Sequence, residues 1–485
     1  MRFWVEMRRS RRRLWRTIGP LLPLVWLCGC STFVSSRAQK EDLVAAYQAG
    51  NYAAAAAIAT ERATAREDTG DELMWRLEEG SVKFAAGDAD GSLAAFERAE
   101  ALIADHEQRA VVNLREGAAE STAVLLNPNV LPYTGNYADK IMLNTLKAMA
   151  YLARGELTGA GVELRRADER QREAKTRYEA EIAAAEQQAR EHRISAPELI
   201  AGSPELQSVN TDLDRAAGTV FGEYVNPLTT YLSAFNYLWQ NNPGEALVDF
   251  QNLLKMQPDH PTLRRDCVSC LAALGSSPPP EQAGVKPWPY PLHDRICLVV
   301  VENGLAPARR QQTIHLPLPP PVGYTGIAIP VPEYFPRNAT PITIRNPSAR
   351  KRIAPTPIAD LDGIFARAYR MELPLIITRL AVATTVKEGA NIAAMYAVRE
   401  QHPAVQIGTL VGTSLYRLAT NRADLRSWQC LPGEYRVGHL PLPADGRLEV
   451  NGCEVRLPPT TRRAVLWIRI LPTSPPLIRV FPVKE

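Results

Sequence analysis

From Glu41 to Gly275 the apolar residues recur three and four positions apart, the spacing of one face of an α-helix. The stretch Asn226 to Pro261 shows this most plainly and predicts two short helices folded against each other. Tyr237 falls late in the first, Asn241-Asn242-Pro243-Gly244 supplies the turn, Ala246, Phe250 and Leu253 stripe the second, and Pro258 stops it. Weaker versions precede it: Tyr47, Gly50, Tyr52 and Ala55; then Gly80, Gly87, Phe96 and Ala99; then Ala148, Tyr151, Gly155, Ala160, Leu164 and Ala167. The helix after Gly155 is predicted to continue to about Arg193. Its surface is almost wholly charged or Ala, which predicts a solvated helix held by i,i+4 ion pairs or, alternatively, a projecting arm that contacts a partner. Residues 127–138 read as a long loop carrying exposed aromatics, and residues 194–222 as an irregular link.

The order of small residue, aromatic, turn, Ala, aromatic and closing Pro in Asn226–Pro261 resembles the 34-residue tetratricopeptide repeat. A unit of that kind cannot bury its own apolar face and stacks on its neighbours, with Thr262 to Gly275 as the capping helix. Ser276-Ser277-Pro278-Pro279-Pro280 then breaks the helical pattern, and the period moves toward two, the spacing of strands. Strands are expected around 295–305, 311–318, 323–331 and 342–345. Helices follow over 360–399, interrupted or kinked at Pro374, and over 405–419, and strands return over 434–442, 447–457, 464–471 and 477–482. The expected fold class is α+β and multidomain. A helical repeat domain over 41–275 and a Pro-rich linker over 276–290 lead to a mixed α/β, β-rich domain over 291–485.

Residues 1–29 read as a targeting segment. Seven Arg precede an apolar run from Ile18 to Leu27 that is too short for a membrane span of ~20 residues. The run ends Leu27-Cys28-Gly29-Cys30, which resembles a bacterial lipobox. The resemblance implies cleavage before Cys30, lipidation of its thiol and, with Ser31 rather than Asp next, an outer-membrane address facing the periplasm. Residues 30–40 would then be a lipidated polar tether.

Removing residues 1–29 turns the formal charge of +4 into −2, so the basic pI is no argument for nucleic acid, and no aromatic–basic interleaving supports it either. What remains is asymmetric. Residues 284–485 hold 25 Lys+Arg against 14 Asp+Glu, while residues 30–283 carry a net −13. Arg309 and Arg310 at a hairpin turn, Arg350, Lys351 and Arg352 in a Pro-bounded loop, and Arg462 and Arg463 before a strand concentrate the positive charge. Docking on the acidic helical half, binding peptidoglycan or another anionic glycan, and solubility are the competing explanations.

No catalytic motif stands out. There is no G-x-S-x-G elbow, P-loop, strand–GxGxxG–helix unit or HExxH, and no cofactor or metal is implied. Cys267-Val-Ser-Cys270 has the spacing of a redox or zinc half-motif, but it falls inside the capping helix with no second pair nearby, so packing or a local disulfide is the simpler account. Cys297 reads as buried and inert, and Cys430 with Cys453 as a plausible disulfide.

Asn226-Pro-Leu-Thr-Thr-Tyr-Leu-Ser-Ala, Gly304-Leu-Ala-Pro and Ala423-Asp424-Leu425-Arg426-Ser427-Trp428, followed by Leu431-Pro432, together resemble a family of uncharacterised bacterial lipoproteins. Leu425 departs from the Thr usual there. The resemblance implies an envelope protein and supplies no catalytic residues. Asp424, Arg426 and Trp428 read structurally as an ion pair under an aromatic lid. The functional expectation is a protein-interaction scaffold for other envelope proteins, held to the membrane by its lipid. The rival is an envelope enzyme or anionic-glycan binder with its site in the basic half.

Overall fold

The computed structural model describes residues 36–116, 131–191, 193–218, 225–318, 323–348 and 350–484. The targeting segment and Cys30 lie outside them. Helical hairpins form from α1 (Glu41–Gln48) and α2 (Tyr52–Ala65), α3 (Glu72–Ala86) and α4 (Ala89–Glu116), and α5 (Tyr137–Arg154) and α6 (Leu157–Glu191). Two shorter helices, α7 (Ala196–Gly202) and α8 (Pro204–Ala217), precede the hairpin α9 (Pro227–Trp239) and α10 (Pro243–Met256), and α11 (Pro261–Ala273) closes the series. The α9/α10 hairpin is built as its sequence predicts. The Asn226 side chain caps α9, Asn241 takes a left-handed φ of 58°, and Asn242 caps α10 with Pro243 in its first turn. Ala246, Phe250 and Leu253 are buried, Tyr237 is half-buried and Pro258 is exposed just past the end of α10. The same logic packs Gly80 of α3 under Phe96 of α4: a Cβ at Gly80 would collide with the Phe96 ring.

The second half is strand-rich, as expected. Its described strands are β1 (Ile296–Asn303), β2 (Ala308–Leu318), β3 (Gly323–Glu333), β4 (Ile344–Asn346), β5 (Lys351–Ile353), β6 (Thr356–Asp360), β7 (Glu434–Pro441), β8 (Arg447–Val450), β9 (Cys453–Arg456), β10 (Arg463–Leu471) and β11 (Ser474–Pro482). Between β6 and β7 come α12 (Leu361–Ala397) and α13 (Pro403–Thr420). The main sheet has the order β11-β10-β1-β7-β6, with β1 and β10 parallel and the other neighbours antiparallel. β2 and β3 pair alone, and β5-β4-β8-β9 make a second small sheet. Every residue of β1 is buried, which explains its unbroken apolar run. Ile296, Leu298 and Val300 face the helical layer, while Cys297, Val299 and Val301 face the small sheet.

The helical and strand-bearing halves share one apolar core, which runs from Tyr47, Phe84 and Phe235 into Trp467, Tyr435 and Val437. Phe84 lies edge-on to Trp467 at 5.1 Å, and Phe235 sits 5.5 Å from His439. The first helices of the hairpins therefore face the sheet, and the repeat layer's inner side is filled by the chain itself. Both sheet edges are held as well. Along β11, Thr473 donates to the Gln48 carbonyl at the end of α1 (2.7 Å), Arg479 to the Ala85 carbonyl at the end of α3 (2.9 and 3.0 Å), and the Lys484 amide to the Gly155 carbonyl after α5 (3.3 Å). These donors meet the unsatisfied carbonyls at helix C-termini. At the other edge, Gln257 donates to the Ile358 carbonyl (2.7 Å) and His260 Nε2 to the Pro357 carbonyl (3.0 Å).

Several expectations change. Residues 196–217 are not an irregular link: α7 and α8 pack on β2, β3 and α12 in a separate apolar cluster. Distal α6 keeps its predicted solvated face, with the i,i+4 pairs Arg172–Asp168 and Arg177–Glu173, but it is not a free arm. Ala174, Tyr178 and Ala185 form a buried seam against Ala368 and Leu375 of α12, with Tyr178 donating to the Met371 carbonyl. Of the two outcomes expected at Pro374, the continuous helix is the one found, α12. Tyr133, expected exposed, is 5% exposed. Residues 276–290 fold back onto α11, where Trp288 Nε1 reaches Asp266 at 2.6 Å. Lys40, at the end of the segment read as a tether, is buried.

Candidate functional site at the junction of the two halves

After α13 the chain runs extended from Asn421 to Gly433 across the inner face of the first hairpins. Arg426 is gripped by Asp424 (2.8 and 2.9 Å), Asp71 (3.1 Å) and the Leu131 carbonyl (2.9 Å), and it lies 5.7 Å from the Tyr133 ring centroid. The Asp424–Arg426 pair is present as predicted, but Trp428 is not its lid. Its side chain enters the helical layer instead, where the indole donates to Ser81 at 2.9 Å beside Phe96.

A buried carboxylate holds the next residues. Glu78 accepts from Lys40 Nζ (2.6 Å) and from the amides of Gln429 (2.8 Å) and Cys430 (3.0 Å), while Lys40 also donates to the Ser427 carbonyl. The ammonium and carboxylate together satisfy a backbone that would otherwise be buried unpaired. The sequence reading missed both residues. A Lys at the edge of a polar stretch and a Glu in an amphipathic helix carry no local sign of burial.

Beside this segment lies a cavity of about 40 Å³ where α5, β2 and α12 meet, with Asp139, Arg309, Tyr369, Glu372 and Trp428 in its wall. Tyr133 donates to Asp139 at 2.6 Å, and the Asn136 amide does so at 3.0 Å. Burial pushes the Asp139 carboxyl up, against its hydrogen bonds from Tyr133 and Asn136 and the nearby Arg309. Burial likewise raises Glu372 to about 7, opposed by Arg309 and Arg379 and reinforced by Glu181 and Asp139. The volume suits a water or two and not a sugar ring.

Glu372 sets a pH dependence. Its folded pKa lies above the ordinary value of ~4.3, so the folded state holds the proton more tightly and stability falls as pH rises from ~4.3 to about 7, then levels. Each unit of displacement is worth about 1.4 kcal/mol in a dry site and less in a partly wet one. Glu372→Gln is expected to remove this loss, so that melting curves of variant and parent diverge between pH 5 and 7.5 with the variant the more stable at the upper end.

A second concavity, a groove of about 820 Å³, lies on the helical layer between α4, α5 and α6. Glu97, Glu100, Glu163, Glu169 and Glu173 line it, against Lys147, Arg166 and Arg170. Lys147 is buried and engaged by Glu100 (2.6 Å) and Glu163 (3.1 Å).

The predicted basic loops do not converge. Arg309 is half-buried at the junction cavity, at the start of β2 and not at a turn. Arg310, Arg350, Lys351 and Arg352 are exposed on β2 and around β5. Arg462 is paired with Asp294 at 2.7 Å, and Arg463 donates to the His293 carbonyl at 3.1 Å. Of these residues Arg309 alone lines the junction cavity.

The described cysteines are free thiols, so Cys430 and Cys453 are not bridged: Cys430 is buried under the helical layer and Cys453 is exposed on β9. Cys267 and Cys270 are packed inside α11. Burial pushes Cys267 up and Cys270 to about 12, the reverse of a redox thiol. Next to them Asp266 accepts from His439 Nε2 (2.8 Å), Trp288 Nε1 (2.6 Å) and Tyr231 (3.2 Å). The Asp266–His439 pair is fully buried, and the other ring nitrogen of His439 faces the Tyr290 hydroxyl at 3.5 Å. No group of three or more His, Cys, Asp or Glu among the described residues is placed to hold a metal ion.

No protein-family model, curated protein or solved structure matches the chain. The site is read on its geometry alone.

Proposed function

We propose that this chain is a lipid-anchored envelope protein, facing the periplasm from the outer membrane, that acts as a rigid assembly scaffold for other envelope proteins. The observation that carries the reading is the open, carboxylate-rich groove between α4, α5 and α6, on a repeat layer whose inner side is already occupied by its own sheet. A scaffold of this kind presents an outer surface, and the groove's five Glu against three cations select a partner segment rich in Lys or Arg. The rival, an envelope enzyme or anionic-glycan binder with its site in the basic half, has less support, because Arg310, Arg350, Lys351, Arg352, Arg462 and Arg463 do not converge and Arg309 lines a cavity of about 40 Å³.

The test is cross-linking in intact envelopes followed by mass spectrometry, comparing the parent with Glu97→Lys, Glu169→Lys, Glu173→Lys. A reproducible envelope protein joined through basic residues to the groove, and lost in the variant, is the expected result. An unchanged cross-link pattern would sink the assignment of the groove.

A further inference from the structure

The large apolar side chains that remain exposed are concentrated on one feature. Val386 and Tyr396 on distal α12, and Val405, Ile407, Leu410 and Val411 on α13, are 36–66% exposed. The polarity of α13 is inverted. Gln406, Thr409 and Thr413, spaced three and four apart, are its half-buried positions, while the apolar residues point away from the body. From Pro403 to Tyr416 there is no charged residue at all.

We infer that the outer face of α13, with the adjoining face of distal α12, lies on a lipid bilayer surface. The exposed charges nearest to it, Arg399 and Glu400, lie in the turn between α12 and α13, where headgroups would meet them, and leave the helix face itself uncharged. An apolar face without charges is what the acyl–headgroup boundary accepts. No described helix is long and apolar enough to cross a membrane, so the helix lies along the surface.

The course of the chain places such a surface nearby. The inference rests here on the lipid-anchor reading. Arg37, seven positions after Cys30, pairs with Glu333 at the end of β3. The end of α13 returns to the same strand, where Asn421 binds the Ala328 amide (2.9 Å) and the Gly326 carbonyl (3.0 Å). Gly326 and Glu333 are about 23 Å apart along β3. The six positions between Cys30 and Arg37 allow a reach of at most about 20 Å, which lets an acyl chain on Cys30 and the face of α13 meet one bilayer.

The experiment uses the full chain carrying Cys30→Ser, so that no acyl group contributes, and measures its equilibrium partition into phosphatidylethanolamine/phosphatidylglycerol vesicles. The comparison is the same chain with Ile407→Asp and Leu410→Asp. The apolar run at 18–27 is common to both, so their difference reads the hairpin alone. A partition lower by roughly tenfold or more in the variant, unchanged by salt and with unaltered circular dichroism, is expected. The milder pair Leu410→Ser, Val411→Ser carries the same expectation should the carboxylates disturb the helix. Equal partition would overturn the inference, as would a parent dimer in sedimentation that the substitutions dissociate. Acylation of Cys30 is read separately by labelled fatty-acid incorporation into the unaltered chain. Its absence would remove the anchor reading and leave the partition difference standing.

Discussion

Replacing Glu78 by Ala is expected to destabilise the fold by about 3–5 kcal/mol, the cost of leaving one partner of a buried ion pair uncompensated. Glu78 and Lys40 are both essentially inaccessible, and the same carboxylate holds the Gln429 and Cys430 amides. The substitution thus leaves a buried ammonium with a single carbonyl acceptor, Ser427, and strips two backbone donors that cannot reach water. Urea titration should show a lowered midpoint. Lys40→Met combined with Glu78→Leu should recover only part of the loss, because the two amides stay unpaired. Full recovery would mean that the Ser427–Cys430 segment does not depend on Glu78 for its hydrogen bonds.

Asp266→Ala is expected to cost about 3 kcal/mol or more. It abandons the donors of His439, Trp288 and Tyr231, and a buried unsatisfied donor costs about 1–3 kcal/mol. The loss should appear as a lower melting temperature together with altered Trp288 fluorescence, since the indole loses its partner while Arg265 remains stacked on it at 3.6 Å. Asp266→Asn keeps an acceptor and should fall between parent and Ala. A melting temperature equal to the parent's would show that the joint between α11 and β7 rests on packing alone.

The elements that were legible share a property: their signal lies within a few residues. Asn242-Pro243 writes the start of α10 as a cap and a first-turn proline, and the apolar run of β1 writes a strand covered on both faces. The elements that were missed depend on partners far along the chain. β6 carries a proline and the sequence assigns it no element, yet it is an edge strand because β7 supplies its ladder, and an edge with a register irregularity at Pro357 tolerates proline. Distal α6 reads as solvated because Ala is nearly silent in hydropathy. Its Ala174, Tyr178 and Ala185 seam exists because α12 lies against it, and small side chains let the two helices approach. α7 and α8 were hidden for the same reason: their Leu199, Leu206 and Leu213 have no meaning until β2, β3 and α12 are beside them.

The candidate site shows the same division at finer scale. The sequence singled out Asp424, Arg426 and Trp428 and paired the first two correctly, because an ion pair two residues apart is a local fact. It could not say that Trp428 points away from that pair, nor that Lys40, Asp71, Glu78 and Ser81 are what the segment meets. Those residues lie more than 340 positions away from it.

The sequence by itself determined the helical hairpins, the change of period after the Pro-rich stretch and most of the strands, since capping, proline chemistry and hydrophobic spacing act over a few residues. The tertiary structure alone decided that the two halves share a core. Each half has an apolar face that must be covered, and only the folded chain shows that each covers the other. It also decided which charges are buried, for a Lys or a Glu becomes a structural element only where packing has removed water and a partner from a distant segment is in place. And it decided that α13 keeps its apolar face outward, a matter of which side of the helix the rest of the chain leaves uncovered.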